Sequence, residues 1–462
     1  MRTLLLLIAI SLHVNSRAQE TAFETAREAV ENMRLGWNLG NTLDCHSGDT
    51  LNMWIERWSS RRTSDYETAW GQPVTKGGLM KMFKKAGFNA IRVPVTWYPH
   101  MEAKFRFATS QSIVWYPSED DIGTEVQAAW MKRVHEVVDY IVGRGMYCIL
   151  NVHHDSGDAN TAWLIADEDS YAREHERFEK LWTQIAEEFR DYDEHLLFEG
   201  YNEMLDVKRS WCFASYAATG KYDAAIAKSA YNAVNSYAQS FVNAVRATGG
   251  NNAQRNLIVT TYAACDGHGT WNSYLQDPLK QMRLPDDTTE GHLIFEVHSY
   301  PDVSNLATAK SDLNTAIRNL KNNLEKKGAP IIYGEWGALS SSAYDDQREN
   351  LLAFARYFVE QTKKNGMGTF YWMGLSDGAH RGVPEFSQPD LLEALQKGYY
   401  GEVGYINGDV NGDGTVDVAD ISAIVSVMAG ADPAPAHSAD VNGDGLVDVA
   451  DISTVISKMA EI

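Results

Sequence analysis

Cysteine is scarce in this sequence: Cys45, Cys148, Cys212 and Cys265 are scattered over 462 residues. Four such positions exclude a disulfide scaffold, and no pair has the spacing of zinc ligands. Cys148 lies in the apolar run YCILNV, where it reads as a small buried hydrophobe. Clusters of Lys and Arg are missing too, and with 41 basic residues against 62 acidic ones the chain lacks what phosphate binding requires, so nucleic acid is excluded as a partner. H-E-x-x-H does not occur, which removes the zinc-protease helix. Long apolar runs are absent apart from LLLLIAISL behind Met1-Arg2, short of the roughly 20 residues a membrane helix needs. Ser16 and Ala18 offer small residues at the minus-three and minus-one positions of a cleavage site. Together they predict a signal peptide over 1–18 and a secreted, extracellular protein.

Short apolar, β-branched runs fill the next part of the chain. MRLGWNLG, NAIRVPVTW, YCILNVHHD, LLFEGYNE, NLIVTTY, LIFEVHSY, PIIYGEWG and TFYWMG alternate with helix-like stretches such as KGGLMKMFKKAG and FEKLWTQIAEEFRDY. Continuous apolar strands separated by helices predict a parallel sheet covered on both faces, and eight such units predict a (β/α)8 TIM barrel over 19–401. Two long insertions, 43–70 and 100–126, follow the first and second strands and fall on the side where such a barrel keeps its active site.

Each run loses its apolar character at its C-terminal end, where Arg92, His153-His154, Asn202-Glu203, His298, Tyr300, Glu335-Trp336 and Trp372 stand. Glu203 and Glu335 end the fourth and seventh runs. Two carboxyls flanking one pocket suit glycoside hydrolysis, one as acid and the other as nucleophile or base. Arg92 is placed to hold Glu335 ionised and Tyr300 to steady it. Glu203 is expected to stay protonated through desolvation and a like charge nearby. Asn202 can donate its amide to a sugar hydroxyl. His153-His154-Asp155 invites a metal reading, but consecutive strand residues point to opposite faces, which favours substrate or supporting hydrogen bonds. Trp37, Trp97, Trp336 and Trp372 lie at or beside strand ends, where aromatic rings stack on sugar faces.

The motifs GWNLGNTLD, WGQPVT, IRVPVTW, ILNVHHD, FEGYNE, VHSY and YGEWG, in this order, resemble glycoside hydrolase family 5, most of all its bacterial endoglucanase branch. The resemblance covers roughly residues 32–374. It implies a retaining endo-β-1,4-glucanase acting on plant cell-wall polysaccharide with no catalytic cofactor, Glu203 as acid/base and Glu335 as nucleophile. Asn38, Arg92, His153, His154, Asn202, His298, Tyr300 and Trp372 are then the substrate-site candidates. Xyloglucan, mixed-linkage glucan, xylan and mannan stay open as alternative substrates, as does a catalytically silent glycan-binding protein.

After Gly401 the composition changes. From Ile406 onward ten acidic residues face one lysine, Lys458, and DVNGDGTVDVAD at 409–420 returns as DVNGDGLVDVAD at 440–451. Asp409, Asn411, Asp413, Asp417 and Asp420 place side-chain oxygens at loop positions 1, 3, 5, 9 and 12, with Thr415 supplying a carbonyl at 7 and Gly414 the sharp turn. Asp440, Asn442, Asp444, Leu446, Asp448 and Asp451 repeat the set. The spacing predicts two structural calcium sites in a small all-α module over 405–462. Duplicated loops followed, but not preceded, by a helix resemble a type I dockerin, which implies a cohesin-bearing scaffold as partner.

Overall fold

The computed structural model describes residues 22–48, 53–101, 106–109, 112–114, 123–215, 221–338, 347–430 and 435–460. The signal-peptide segment and parts of both long insertions lie outside the described residues. Eight parallel strands close into a barrel in consecutive order: β1 (Leu35–Asn38), β2 (Phe88–Val93), β3 (Tyr147–Asn151), β4 (Leu196–Glu199), β5 (Leu257–Cys265), β6 (Leu293–Ser299), β7 (Ile331–Trp336) and β8 (Gly368–Tyr371). All eight coincide with the apolar runs, because a strand buried on both faces needs an uninterrupted apolar sequence. The helices that follow them are α1 (Gly77–Lys85), α2 (Ala128–Val142), α3 (Glu168–Glu188), α4 (Ala224–Ala247), α5 (Asp277–Gln281), α6 (Leu306–Asn323), α7 (Arg348–Lys364) and α8 (Pro389–Tyr400). Helix α3 starts ten residues before its densest apolar stretch, at Asp167, whose side chain caps it by accepting from the Ser170 amide. Among the described residues, no helix is long and apolar enough to cross a membrane.

Inside the barrel, Ala90, Ile149, Leu197, Ile258 and Ile294 form one apolar layer with residues of the helix Ala26–Asn32. That helix plugs the N-terminal end, so the interior is solid below the mouth. Strand register then sets the mouth. Asn38 lies beside Arg92, Asn151 beside Glu199 and His298 beside Glu335, so polar residues from six strands reach one level. The insertion after β1 forms two short helices, Trp54–Trp58 and Thr63–Glu67. Buried Glu67 ties it to the barrel by accepting from Arg133 of α2 at 2.8 and 2.9 Å.

The C-terminal module has two helices, α9 (Val418–Met428) and α10 (Val449–Met459), around a core of Val410, Ile424, Ala439, Val441 and Val455. Among the described residues no helix runs directly into the start of either loop: α8 ends at Tyr400 and α9 at Met428. Asp417 and Asp448 cap the two helices, each in a capping box with Asp420 or Asp451. Loop positions 9 and 12 therefore also start the helices. The module sits at the closed end of the barrel, where Tyr400, Tyr405 and His437 pack together with ring centroids about 5.0 Å apart.

Ile258→Ala would open a cavity in the barrel layer and is expected to cost about 2 to 5 kcal/mol, read as a lower urea midpoint of the barrel transition. Trp58→Ala, at a side chain 81 % exposed, should leave that midpoint within about 0.5 kcal/mol of wild type.

Candidate active site

Arg92, wholly buried at the end of β2, organises the mouth. Its Nη1 donates to Glu335 Oε1 at 2.7 Å and Asn38 Oδ1 at 3.0 Å. Its Nη2 donates to Asn202 Oδ1 at 2.8 Å and Glu199 Oε1 at 2.7 Å, and its Nε to Glu199 Oε2 at 2.6 Å. Because Asn202 accepts through its oxygen, its amide nitrogen is left to face the cleft. Burial works against the charge on Arg92, but Glu199, Glu296 and Glu335 hold its pKa well above the ordinary value.

Glu335 receives a second hydrogen bond from the Tyr300 hydroxyl at 2.6 Å. Glu203 is tied to His298 Nδ1 at 2.8 Å. One carboxylate oxygen each from Glu203 and Glu335 and one His298 nitrogen all lie within 4.8 Å of one another. Burial raises the Glu203 pKa, with Glu335 adding to the rise and His298 opposing it. His298 itself, although burial disfavours its charge, is pushed up to about 10 by Glu335 and Glu203. The neighbouring carboxylates thus favour the charged imidazole, and burial favours the neutral form of Glu203. His153 approaches Glu335 Oε1 at 3.8 Å, and burial keeps its ring neutral, with His154 and Arg92 adding to the effect.

Glu199 and Glu296 are the carboxylates that sequence reasoning missed. Each is a lone acid inside an apolar run, LLFEG or LIFEV, which was the available signal. Burial lifts Glu199 to about 7 against the pull of Arg92. Glu296 lies 3.3 Å from Arg92 Nε and 3.4 Å from His298 Nε2, beneath the catalytic strand. The room for it is made by Gly334: a Cβ there would lie 1.4 Å from Glu296 Oε1.

Of the four tryptophans expected at the cleft, only Trp372 lines it, parallel to the His153 ring at 5.8 Å. Trp37, Trp97 and Trp336 are core residues, each 0 or 1 % exposed, with Trp37 stacked on Phe83 and Trp336 on Phe358. Strand alternation turns the neighbour of an inward residue outward. The pair His153 and His154 departs from expectation in the opposite sense. β3 ends at Asn151, so both rings turn to the same side, 4.4 Å apart, and His154 Nε2 stands 4.0 Å from Asp44 Oδ2. His46 and Trp70, from the first insertion, surround His154. Across the mouth, Trp271 and Trp211 are exposed on the loops after β5 and β4, and Phe213 lies 6.1 Å from Trp271.

In the C-terminal loops, Asp409 accepts from the amides of Gly412, Asp413 and Gly414 at 2.8, 3.1 and 2.9 Å. Asp440 repeats this with Gly443, Asp444 and Gly445. Gly414 and Gly445 have φ of +89° and +101°, the left-handed turn the loop requires. Asn442 Oδ1, at position 3, is buried without a hydrogen-bond partner. An all-oxygen donor set with such an orphan suits a hard cation.

Gly334→Ala is expected to cost at least about 2 kcal/mol or to prevent soluble expression, because the Glu296 carboxylate must move. Gly337→Ala, whose Cβ would meet only the Tyr300 ring at 3.4 Å, should melt like wild type. Thermal denaturation of both variants checks this.

Residues 55–377 match the cellulase family, glycosyl hydrolase family 5, and residues 407–460 match the type I dockerin domain. Endoglucanase B of Neocallimastix patriciarum is 30 % identical over 395 residues, covering 81 % of this chain and 72 % of its own. Endoglucanase B of Clostridium cellulovorans is 29 % identical, covering 88 % and 84 %. Among solved structures, a GH5-4 broad specificity endoglucanase from an uncultured bacterium is 48 % identical with a TM-score of 0.74, covering 82 % of this chain and 97 % of its own. A family 5 enzyme from Prevotella bryantii, solved as a mutant with a xyloglucan tetradecasaccharide, is 39 % identical with a TM-score of 0.68, covering 82 % and 99 %. With the cleft, the barrel and the matched span in agreement, this chain belongs to glycoside hydrolase family 5 and carries a type I dockerin domain at its C-terminus.

Proposed function

We propose that the protein is a secreted, retaining endo-β-1,4-glucanase, exported through the signal peptide 1–18, with catalytic domain 19–401 and dockerin module 405–462. The observation that carries the reading is the pairing of Glu335, held by Arg92 and Tyr300, with Glu203, held by His298. Glu335 attacks the anomeric carbon while Glu203 passes its proton to the departing glycosidic oxygen, giving a covalent glycosyl ester on Glu335. Glu203, now ionised, takes a proton from water, and the resulting hydroxide equivalent displaces Glu335. The approach of their oxygens to within 4.8 Å supports direct attack, since inversion needs room for a water and about 6.5 to 9.5 Å between carboxyls.

Around the pair, Asn202 offers its amide to the sugar ring at the reacting centre, and Asn38 and His153 complete its polar surround. Trp372, with His154 beyond it, forms the glycone side. Trp211 and Trp271 stand across the barrel on the loops after β4 and β5, next to the acid, and serve the departing chain. Such an open, aromatic-lined cleft suits internal cleavage of a long glucan. The xyloglucan complex of the Prevotella bryantii relative supports a substrate range extending to branched glucans.

In the tail, Asp409, Asn411, Asp413, Thr415, Asp417 and Asp420 would hold one calcium ion, and Asp440, Asn442, Asp444, Leu446, Asp448 and Asp451 a second. Each ion would offset the loop's clustered carboxylates and order it for binding a cohesin-type partner. The exposed Val418 and Val449 are the apolar contacts on offer there.

Glu335→Gln is expected to lower turnover of every substrate by at least about 10⁴-fold with glucan binding retained. Glu203→Gln should slow glucan hydrolysis comparably but spare the first step on aryl glycosides with good leaving groups, and should remove the alkaline limb of the kcat/KM profile, where wild-type activity falls as Glu203 loses its proton. Steady-state kinetics with both substrate types decides; full glucan activity in either variant contradicts the assignment.

A further inference from the structure

The two calcium loops have nearly the same sequence, and in each the position-1 aspartate accepts from the corresponding three amides, yet they face different surroundings. Asp409, at position 1 of the first loop, has His437 outside it, with Nδ1 3.8 Å from its Oδ2. Asp440, at position 1 of the second loop, has the ammonium group of Lys84 outside it. Lys84 ends α1 on the barrel and donates to Asp440 Oδ2 and to the Arg144 carbonyl. Its side chain is 9 % exposed and that of Asp440 5 %.

This ion pair is part of a fitted contact. Gly443 and Gly445, both with left-handed φ, lie directly on the barrel. A Cβ on Gly443 would touch Lys81 at 3.4 Å and Lys85 at 3.5 Å, and one on Gly445 would come within 2.5 Å of the Gly143 carbonyl oxygen. The glycines that the loop needs for its own turn also allow it to seat against the loop 143–145. Arg34 adds a hydrogen bond to the Pro435 carbonyl at 3.3 Å.

We infer that the closed end of the barrel is a docking surface for the second calcium loop, and that docking and calcium binding at that loop oppose one another. The inference rests on the reading of the tail as a calcium module. A calcium ion held by Asp440 and a buried lysine held by the same carboxylate repel each other, whereas a histidine ring, not a lysine, stands opposite position 1 of the first loop. Coupling between two such sites is reciprocal. Lys84 weakens calcium at the second loop relative to the first, and calcium at the second loop loosens the module from the barrel. A scaffold-binding enzyme gains from this a tail that is tucked beneath its barrel when calcium is scarce and freed where calcium is abundant.

Isothermal titration of the full chain with calcium tests this. Two steps are expected, the tighter lost in Asp409→Ala and the weaker in Asp440→Ala. Lys84→Met should tighten the weaker step about ten-fold, within the 5- to 150-fold range of such couplings, and leave the tighter step in place. Lys84→Arg, which keeps the charge, should leave both. An unchanged rate on soluble glucan shows that the Lys84→Met barrel is folded; should that variant not fold, Lys84→Gln serves. In the wild type, calcium should also speed amide exchange over 143–146. The inference is overturned if the weaker step does not move in the uncharged variant, or if the weaker step is the one lost in Asp409→Ala. Absence of any calcium step overturns the calcium reading of the tail together with this inference.

Discussion

Charge neutrality in a buried mouth governs this enzyme. Arg92, wholly buried, and His298, whose pKa its carboxylate neighbours raise, stand together at the mouth, and Glu199, Glu296, Glu203 and Glu335 surround them. Four ionised carboxylates against two cations would leave an uncompensated buried charge, which a protein interior does not sustain. Burial raises Glu203 and Glu199, while Arg92 and His298 draw Glu296 below the usual carboxylate range in spite of its burial. Glu335 accepts hydrogen bonds from the Arg92 guanidinium and from Tyr300. The proposed division of labour between acid and nucleophile rests on this contrast: Glu335 is held by Arg92 and Tyr300, and Glu203 by His298.

The C-terminal module meets the same constraint by another route. Its carboxylates have no buried arginine among them, and they turn onto the amides of their own loops. The barrel carries its compensating charges in its sequence; on the proposed reading, the module takes them from solution as calcium. Lys84, reaching from one to the other, is the place where the two solutions meet.

Much of this was legible in the sequence because parallel strands are punctuated. Eight apolar runs gave eight strands, and the residues at which each run turns polar are those that gather at the mouth. Arg92, Asn202, Glu203, His298, Tyr300 and Glu335 were all visible in this way. What escaped were contacts fixed by depth and alternation. Glu199 and Glu296 are fully buried acids within their strands, and Glu296 depends on Gly334 leaving room that no local pattern announces. Trp336 was taken for a cleft residue because it adjoins Glu335, yet within a strand adjacency means the opposite face. At His153 and His154 the same alternation was applied where β3 had already ended. Lys84 read as one more charge on an amphipathic helix, since its partner lies 356 residues away.

The central claim is that the carboxylate gripped by Arg92 is the one that bonds to sugar. A 2-deoxy-2-fluoro-cellobioside with a good leaving group should form its ester quickly and release it slowly. Incubation with the full chain, followed by peptic digestion and mass spectrometry, should find the added disaccharide on the peptide containing Glu335 and nowhere else. Label on Glu203 would contradict the account, as would turnover by inversion with no covalent adduct at any carboxylate.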